Sequence, residues 1–82
     1  MPTVLRLGAL RVTVYPADHR PAHVHIIGQG REAVFKLNCP DGPPELRESF
    51  GFSLPDLGRI VENLQLAIAE LCRKWREIHG AY

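Results

Sequence analysis

The sequence predicts an α+β fold, in which an antiparallel sheet of about four strands, arranged as a meander, packs on one long C-terminal helix. Two observations predict it. In the first half of the chain, apolar and polar residues alternate in short runs that end at glycine or proline, which is typical of half-buried strands. In the second half, apolar residues recur at steps of three and four from residue 57 to residue 78, which is the spacing of an amphipathic helix.

The predicted strands are short and are separated by turn-forming residues. They span residues 3–7, 10–15, 23–27 and 31–37. The connections between them are short enough for consecutive strands to pair antiparallel. Residues 38–44 contain three prolines and one glycine and are expected to form a loop. Residues 46–52 are ambiguous between a loop and a short edge segment.

Local signals also set the ends of the helix. Ser53 is a favourable N-cap, and Asp56 stands where it would complete a capping box. Gly80 is expected to end the helix, and His79 beside it is expected to be solvated. The apolar side chains predicted to face the sheet form one continuous stripe along a single helix: Leu57, Ile60, Val61, Leu64, Ile68, Leu71, Cys72, Trp75 and Ile78.

Composition bounds the class of protein. The 82 residues are predicted to form a single domain, residues 1–82, near the lower size limit for folding around one core. No apolar run is long enough to span a bilayer and the N-terminus lacks the layout of a signal peptide, so a cytoplasmic location without a membrane partner is expected. The formal net charge of +1 gives no bulk electrostatic case for nucleic acid. Cys39 and Cys72 are too few and too far apart for a disulfide scaffold, so reduced thiols are predicted.

The most informative segment contains three of the four histidines: Asp18-His19-Arg20-Pro21-Ala22-His23-Val24-His25. His23 and His25 are two residues apart in a predicted strand, so their side chains project from the same face, opposite to Val24. Asp18 and His19 precede them on a proline-bounded loop that could fold back over the pair. If the helix covers the face of Val24, the other face is polar and open to solvent and carries Arg11, Thr13, Tyr15, His23, His25, Glu32 and Lys36.

Three hypotheses compete for this polar face. In the metal hypothesis, His19, His23 and His25 bind one divalent ion and Asp18 completes a tetrahedral set. Zinc fits these ligand types best, with copper or nickel as alternatives, and no other cofactor is expected. The His-x-His pattern is a weak signal by itself, because it occurs often by chance.

The second hypothesis is metal-independent phosphodiester chemistry, as in small ribonuclease toxins. His19, His23 and His25 would act as general acids and bases, because histidine titrates near the working pH. Arg20 would stabilise the charge that develops on the phosphorane. The binding residues would be Asp18, Tyr15, Arg11 and Lys36. No strongly basic groove is visible in the sequence, which counts against this hypothesis.

The third hypothesis is that these residues hold the fold or a protein interface. His23 would then hydrogen-bond Tyr15 across the strands, and His19 with Asp18 would fix a turn. A chain this short buries little apolar surface by itself. A homo-oligomer or a partner protein is therefore expected to cover part of it.

The run Tyr15-Pro16-Ala17-Asp18-His19-Arg20-Pro21-Ala22-His23-Val24-His25-Ile26 resembles the hallmark of a bacterial family, the domain-of-unknown-function family four-one-six-zero. Its members typically open with Met-Pro-Thr-Val-Leu-Arg, matched by residues 1–6, and carry an Asp/Glu-His-x-Pro-Pro-His-Val-His stretch. Gly51-Phe52-Ser53 and Trp75 match two later features. Ala22 replaces the second proline of the stretch, which loosens the approach to His23.

The resemblance implies a component of a toxin–antitoxin-type pair, whose partner is a cognate small protein from a neighbouring gene. It also implies that His19, His23 and His25 are the functional positions, but it implies no established reaction. The leading hypothesis is therefore a cytoplasmic toxin–antitoxin component that acts on RNA or the translation machinery. The alternative is a non-enzymatic module that binds a protein or a metal through the same histidines.

Overall fold

The alternating first half of the chain folds into an antiparallel sheet whose strand order follows the sequence, β1-β2-β3-β4-β5. The computed structural model describes residues 3–82, so the first two residues of the predicted domain lie outside the described residues. The strands are β1 (Thr3–Leu7), β2 (Leu10–Thr13), β3 (His23–Gly28), β4 (Arg31–Lys36) and β5 (Glu45–Phe50). The predicted antiparallel meander is confirmed, and its connections are the predicted turns.

Over residues 3–82, the count of about four strands is corrected to five. Most of the ambiguous segment forms β5, which pairs with β4 at the edge of the sheet. This strand buries little: its two large apolar side chains, Leu46 and Phe50, are 42% and 67% exposed. An edge strand with so little burial lacks the alternation that marks the other strands, which is why the sequence left the segment ambiguous.

The prediction of a single long helix is wrong. The described part of the chain forms two helices, α1 (Leu54–Leu66) and α2 (Ile68–His79), which are separated by Ala67. The φ of −106° and ψ of 14° at Ala67 depart from helical values. The Ala67 N–H donates to the Leu64 carbonyl at 3.1 Å, which tightens the turn at this point. Leu64 and Ile68 on either side are both buried. The apolar stripe therefore continues across the break, and its periodicity could not reveal it.

Both predicted helix ends are confirmed. Ser53 caps α1, and its hydroxyl accepts a hydrogen bond from the Asp56 N–H while the Asp56 carboxylate accepts one from the Ser53 N–H. Gly80 ends α2 in the left-handed conformation with a φ of 84°, and its N–H donates to the Arg76 carbonyl at 2.7 Å. Among residues 3–82, neither helix is long and apolar enough to cross a membrane.

The core lies between the two helices and one face of the sheet. Its fully buried apolar side chains are Val12, Val14, Val24, Ile26, Phe35, Leu37, Leu64, Leu71 and Trp75. Burying one such side chain contributes roughly 1.5–3 kcal/mol to folding. Because Val24 and Ile26 face this core, strand alternation places His23 and His25 on the other side of the sheet, as predicted.

A disulfide joins Cys39, in the loop after β4, to Cys72 in α2, with a Cα–Cα distance of 5.7 Å. The prediction of reduced thiols is therefore wrong. The two cysteines are 33 residues apart in sequence, but the loop packs on the helices, where the Gln65 side-chain amide also donates to the Asp41 carbonyl at 3.1 Å. Sequence distance gave no sign of this contact, because it depends on how the loop lies on the helices.

Candidate functional site

A tight turn after β2 returns Asp18 to the face of the sheet that carries the histidines. The Asp18 N–H donates to the Tyr15 carbonyl at 3.0 Å, and the Tyr15 N–H donates to Oδ2 of Asp18 at 3.1 Å. A short side chain whose carboxylate accepts a hydrogen bond from a nearby backbone N–H commonly stabilises such turns. The expected fold-back of the loop is thus observed, and Asp18 is the side chain that it delivers.

Two imidazoles converge on this carboxylate. Oδ2 of Asp18 lies 3.2 Å from Nε2 of His25 and 3.5 Å from Nε2 of His23. The rings of His23 and His25 meet edge to face, with 5.3 Å between their centroids. One ligand atom from each of the three side chains fits within 4.8 Å of the others, and we call these three residues the Asp-His-His group.

The tautomer of His23 follows from its other ring nitrogen. Nδ1 of His23 lies 2.9 Å from the carbonyl oxygen of Pro21, and a carbonyl oxygen only accepts hydrogen bonds. Nδ1 therefore carries the hydrogen, and in the neutral ring Nε2 presents a lone pair toward Asp18. A lone pair that faces a carboxylate is repelled unless a proton or a cation lies between them.

His25 has the complementary arrangement. Its Nδ1 is buried without a hydrogen-bond partner among the described residues, and the nearest charged group is Oε2 of Glu32 at 3.8 Å. If Nδ1 carries the hydrogen, it faces the Glu32 carboxylate and Nε2 is free to bind a cation. If Nε2 carries it, Nδ1 remains a buried acceptor without a donor, which is costly.

A layer of aromatic rings supports the group. The Tyr15 ring contacts His25 edge-on at 4.7 Å between centroids, and the Trp75 ring lies 5.2 Å from His23. His79 stacks on Trp75 at 4.0 Å and donates from Nε2 to the Tyr15 carbonyl at 3.2 Å. The expectation that His79 is solvated is therefore wrong. Its position four residues after Trp75, on the same side of a helix, is the signal that could have placed it here.

The polar face is less open than expected. The exposed fractions of the side chains are 14% for Asp18, 10% for His23 and 16% for His25. Thr13 is fully buried. The folded-back turn and Trp75 contact His23, so the histidines are largely covered and do not lie on an open surface.

The other residues singled out in the sequence lie outside this group. His19 and Arg20 are exposed. Lys36 is half-buried and is the cross-strand partner of His23, whereas Arg11 pairs with Ile27 farther along the sheet. The structure thus places Asp18, and not His19, with His23 and His25.

The two distances from Asp18 to the histidines suit a metal ion, while the three ligand atoms as a set lie within 4.8 Å of one another. Ligand atoms around a tetrahedral zinc ion with bonds of about 2.0–2.1 Å lie about 3.3 Å apart. The two distances from Asp18, 3.2 and 3.5 Å, bracket this value. Three protein ligands leave at least one coordination position for water or another group.

Fold and site together define a small α+β protein in which β3 and the turn after β2 bring together an Asp-His-His group that could hold a metal. Residues 10–76 match a family described as a domain of unknown function, DUF4160, and the chain belongs to this family. Comparison with curated proteins gave no match, and comparison with solved structures gave none.

Proposed function

We propose that this protein binds a divalent transition-metal ion through Asp18, His23 and His25. The observation that carries the proposal is the hydrogen bond from Nδ1 of His23 to the Pro21 carbonyl. It directs the lone pair of Nε2 at a carboxylate oxygen 3.5 Å away. Metal-bound histidines commonly donate their second ring nitrogen to a backbone carbonyl in this way, which fixes the tautomer that binds the ion.

The environment of His25 supports the same proposal. Glu32 stands 3.8 Å from Nδ1 of His25, and its side chain is 52% exposed. A carboxylate behind a ligating imidazole raises the basicity of the ring. The bound ion would give Nε2 of His25 and the Asp18 carboxylate a common partner.

Ligand chemistry favours zinc. Two imidazoles and one carboxylate are a usual ligand set of zinc sites that keep an open position. The same set also suits Fe(II), and imidazole binds copper and nickel. Affinity for copper exceeds that for zinc at most nitrogen sites, so metal identity is tested by competition.

The test is elemental analysis of protein purified without an affinity tag, followed by titration of the metal-free protein with zinc, copper and nickel salts. About one equivalent of bound metal, retained on gel filtration, would support the proposal. Substoichiometric metal after purification, together with titrations that show no saturable binding, would overturn it. Shifts of the histidine resonances in NMR spectra during the titration show which imidazole rings bind the metal.

A second candidate function is a metal-independent action on RNA, as a component of a bacterial toxin–antitoxin-type pair in the cytoplasm. It is favoured by the contact between Asp18 and His25 at 3.2 Å, because a carboxylate that orients an imidazole is the arrangement of a general base. Lys36 beside His23 would stabilise negative charge on a phosphate. Exposed Arg20 would contact the substrate backbone.

The second candidate is tested by expressing the chain alone in a bacterial host. Growth arrest with RNA cleavage, relieved by the double variant His23→Ala/His25→Ala, would support it. Cleavage by the purified protein in the presence of a chelator would separate it from the metal proposal. Normal growth with intact RNA would count against it. Co-purification with the product of a neighbouring gene tests the expected partner protein.

A further inference from the structure

A cleft of about 410 Å³ lies at the end of the sheet opposite to the Asp-His-His group, between the β1–β2 turn and α1. Both β1 and α1 contribute apolar and polar side chains to its lining. The apolar side chains are Leu7, Leu10, Phe52 and Ile60, and the polar ones are Arg6, Arg31, Asp56, Arg59 and Asn63. The volume lies within the range of small-molecule sites, which is about 300–1,000 Å³.

The arginines of the cleft are held in different ways. The Arg31 guanidinium lies 4.9 Å from the centre of the Phe52 ring and donates to Asp56 at 3.3 Å. Arg59 donates to the other oxygen of the same carboxylate. Arg6 is exposed, and among residues 3–82 it has no ion-pair partner. Two arginines are therefore paired with Asp56, and Arg6 is free to close on a ligand.

The cleft carries an excess of positive charge. Three arginines and one aspartate line it, so cationic groups exceed anionic groups by two. A single carboxylate ligand would leave part of this charge uncompensated, whereas a phosphomonoester carries about −1.5 to −2 charges at pH 7. The planar guanidinium also matches phosphate with paired hydrogen bonds.

We propose that this cleft binds a phosphomonoester whose phosphate contacts Arg6, Arg31 and Arg59. The apolar wall formed by Leu10 and Ile60 would contact a planar or apolar group attached to the phosphate, as in a nucleotide. The proposal does not depend on the Asp-His-His group, which lies at the other end of the strands.

The test uses NMR titration of the full chain with adenosine monophosphate in the presence of a chelator, so that the outcome is independent of metal. We expect saturable shifts of the methyl resonances of Leu10 and Ile60. Adenosine, which lacks the phosphate, is expected not to bind, and inorganic phosphate, which lacks the planar group, is expected to bind more weakly. The absence of saturable shifts with the mononucleotide, or equal binding of adenosine, would overturn the proposal.

The matched variants are Arg6→Gln and Arg47→Gln. Both arginines are exposed on strands, but only Arg6 lines the cleft. Loss of one charge-assisted hydrogen bond to phosphate should weaken binding about tenfold. Arg6→Gln is expected to do so and Arg47→Gln is not, with unchanged spectra of the free proteins confirming the fold. Equal weakening by both variants would indicate attraction to net charge alone and would contradict the proposal.

The phosphate could belong to a free nucleotide or to the end of an RNA chain. A tetraribonucleotide with a 5′-phosphate distinguishes the two sources. Binding at least as tight as that of the mononucleotide would identify an RNA terminus, and binding of the mononucleotide alone would identify a free nucleotide. Either result supports the cleft as a phosphomonoester site.

Discussion

Asp18 and His19 are neighbours in the chain, but their side chains lie in different surroundings. Asp18 is held by the Tyr15 backbone N–H and faces two imidazoles, whereas His19 is exposed. We therefore expect Asp18→Asn to weaken zinc binding by at least the 10–100-fold that is typical for loss of outer-shell partners. His19→Gln should leave the affinity unchanged.

Calorimetric titration of both metal-free variants with zinc measures this difference in affinity. The pair also tests the ligand set, because the sequence predicted both Asp18 and His19 as ligands and the structure brings only Asp18 to His23 and His25. Loss of affinity in the His19 variant with normal affinity in the Asp18 variant would show that the loop binds metal in another conformation.

Asp56 offers a second test at the scale of a single residue. The pKa of Asp56 lies below its ordinary value of 3.8, and the largest cause is a hydrogen bond from the Ser53 side chain. Hydrogen bonds from the Ser53 N–H and from Arg59 lower the pKa further, whereas desolvation raises it. A carboxyl with a lowered pKa in the folded state stabilises the fold above about pH 3.8, and this contribution is lost as the pH falls through the folded pKa.

Ser53→Ala is therefore expected to raise the pKa of Asp56 toward its ordinary value and to reduce the loss of stability between pH 5 and pH 2. NMR titration of the Asp56 carboxyl carbon measures the pKa directly, and urea unfolding across this pH range measures the stability. An unchanged pKa in the variant would show that the hydroxyl is not the main cause.

At the scale of the element, two glycines distinguish the steric effect of an added side chain from the effect of backbone conformation. A Cβ added at Gly58 or at Gly80 would meet no atom within 4 Å. Gly58 lies inside α1, whereas Gly80 ends α2 with a φ of 84°. Gly58→Ala should stabilise the protein by about 0.5–1 kcal/mol, because alanine loses less backbone entropy in a helix.

Gly80→Ala should instead destabilise the protein by about 1–2 kcal/mol, because an L-residue is strained at positive φ. Thermal and urea unfolding of the two variants, each compared with the parent chain, measure the opposite signs. Destabilisation by the alanine at position 58 would mean that α1 packs more tightly there than the structure shows.

A comparison of the individual helices and strands shows which parts of the fold are predictable from sequence. The capping box at Ser53 and the end of α2 at Gly80 depend on residues within one turn, so local chemistry predicts them. The face shared by His23 and His25 follows from strand alternation. In contrast, β5 and the break at Ala67 leave no local signal, because the first buries little and the second preserves the apolar stripe.

At the scale of the whole molecule, contacts between distant segments complete both the site and the core. His79 hydrogen-bonds the Tyr15 carbonyl although the two residues are 64 positions apart, and a disulfide joins Cys39 to Cys72, which are 33 positions apart. Neither pairing has a recognisable spacing, because each depends on how α2 lies against the loops that follow β2 and β4. The His23–His25 pair was therefore predictable, but the layer that supports it was not.

The disulfide should supply a large part of the stability of this small protein. A cross-link that closes a loop of this length removes chain entropy from the unfolded state and stabilises the fold by about 3–4 kcal/mol. Domains of this size have unfolding free energies of only about 5–15 kcal/mol. A phosphine reductant is therefore expected to shift the urea midpoint strongly downward and to lower the free energy of unfolding by about that amount.

Cys39→Ser provides the control, because Cys39 is half-buried while Cys72 is 1% exposed and its replacement would disturb the core. The variant should unfold like the reduced parent chain and should not respond to the reductant, since it has no bond to lose. Equal midpoints for the oxidised and reduced parent chain would show that the cross-link contributes no net stability. Because Cys72 and Trp75 lie on one turn of α2, reduction should also broaden the His23 and His79 resonances if the disulfide holds that turn against the site.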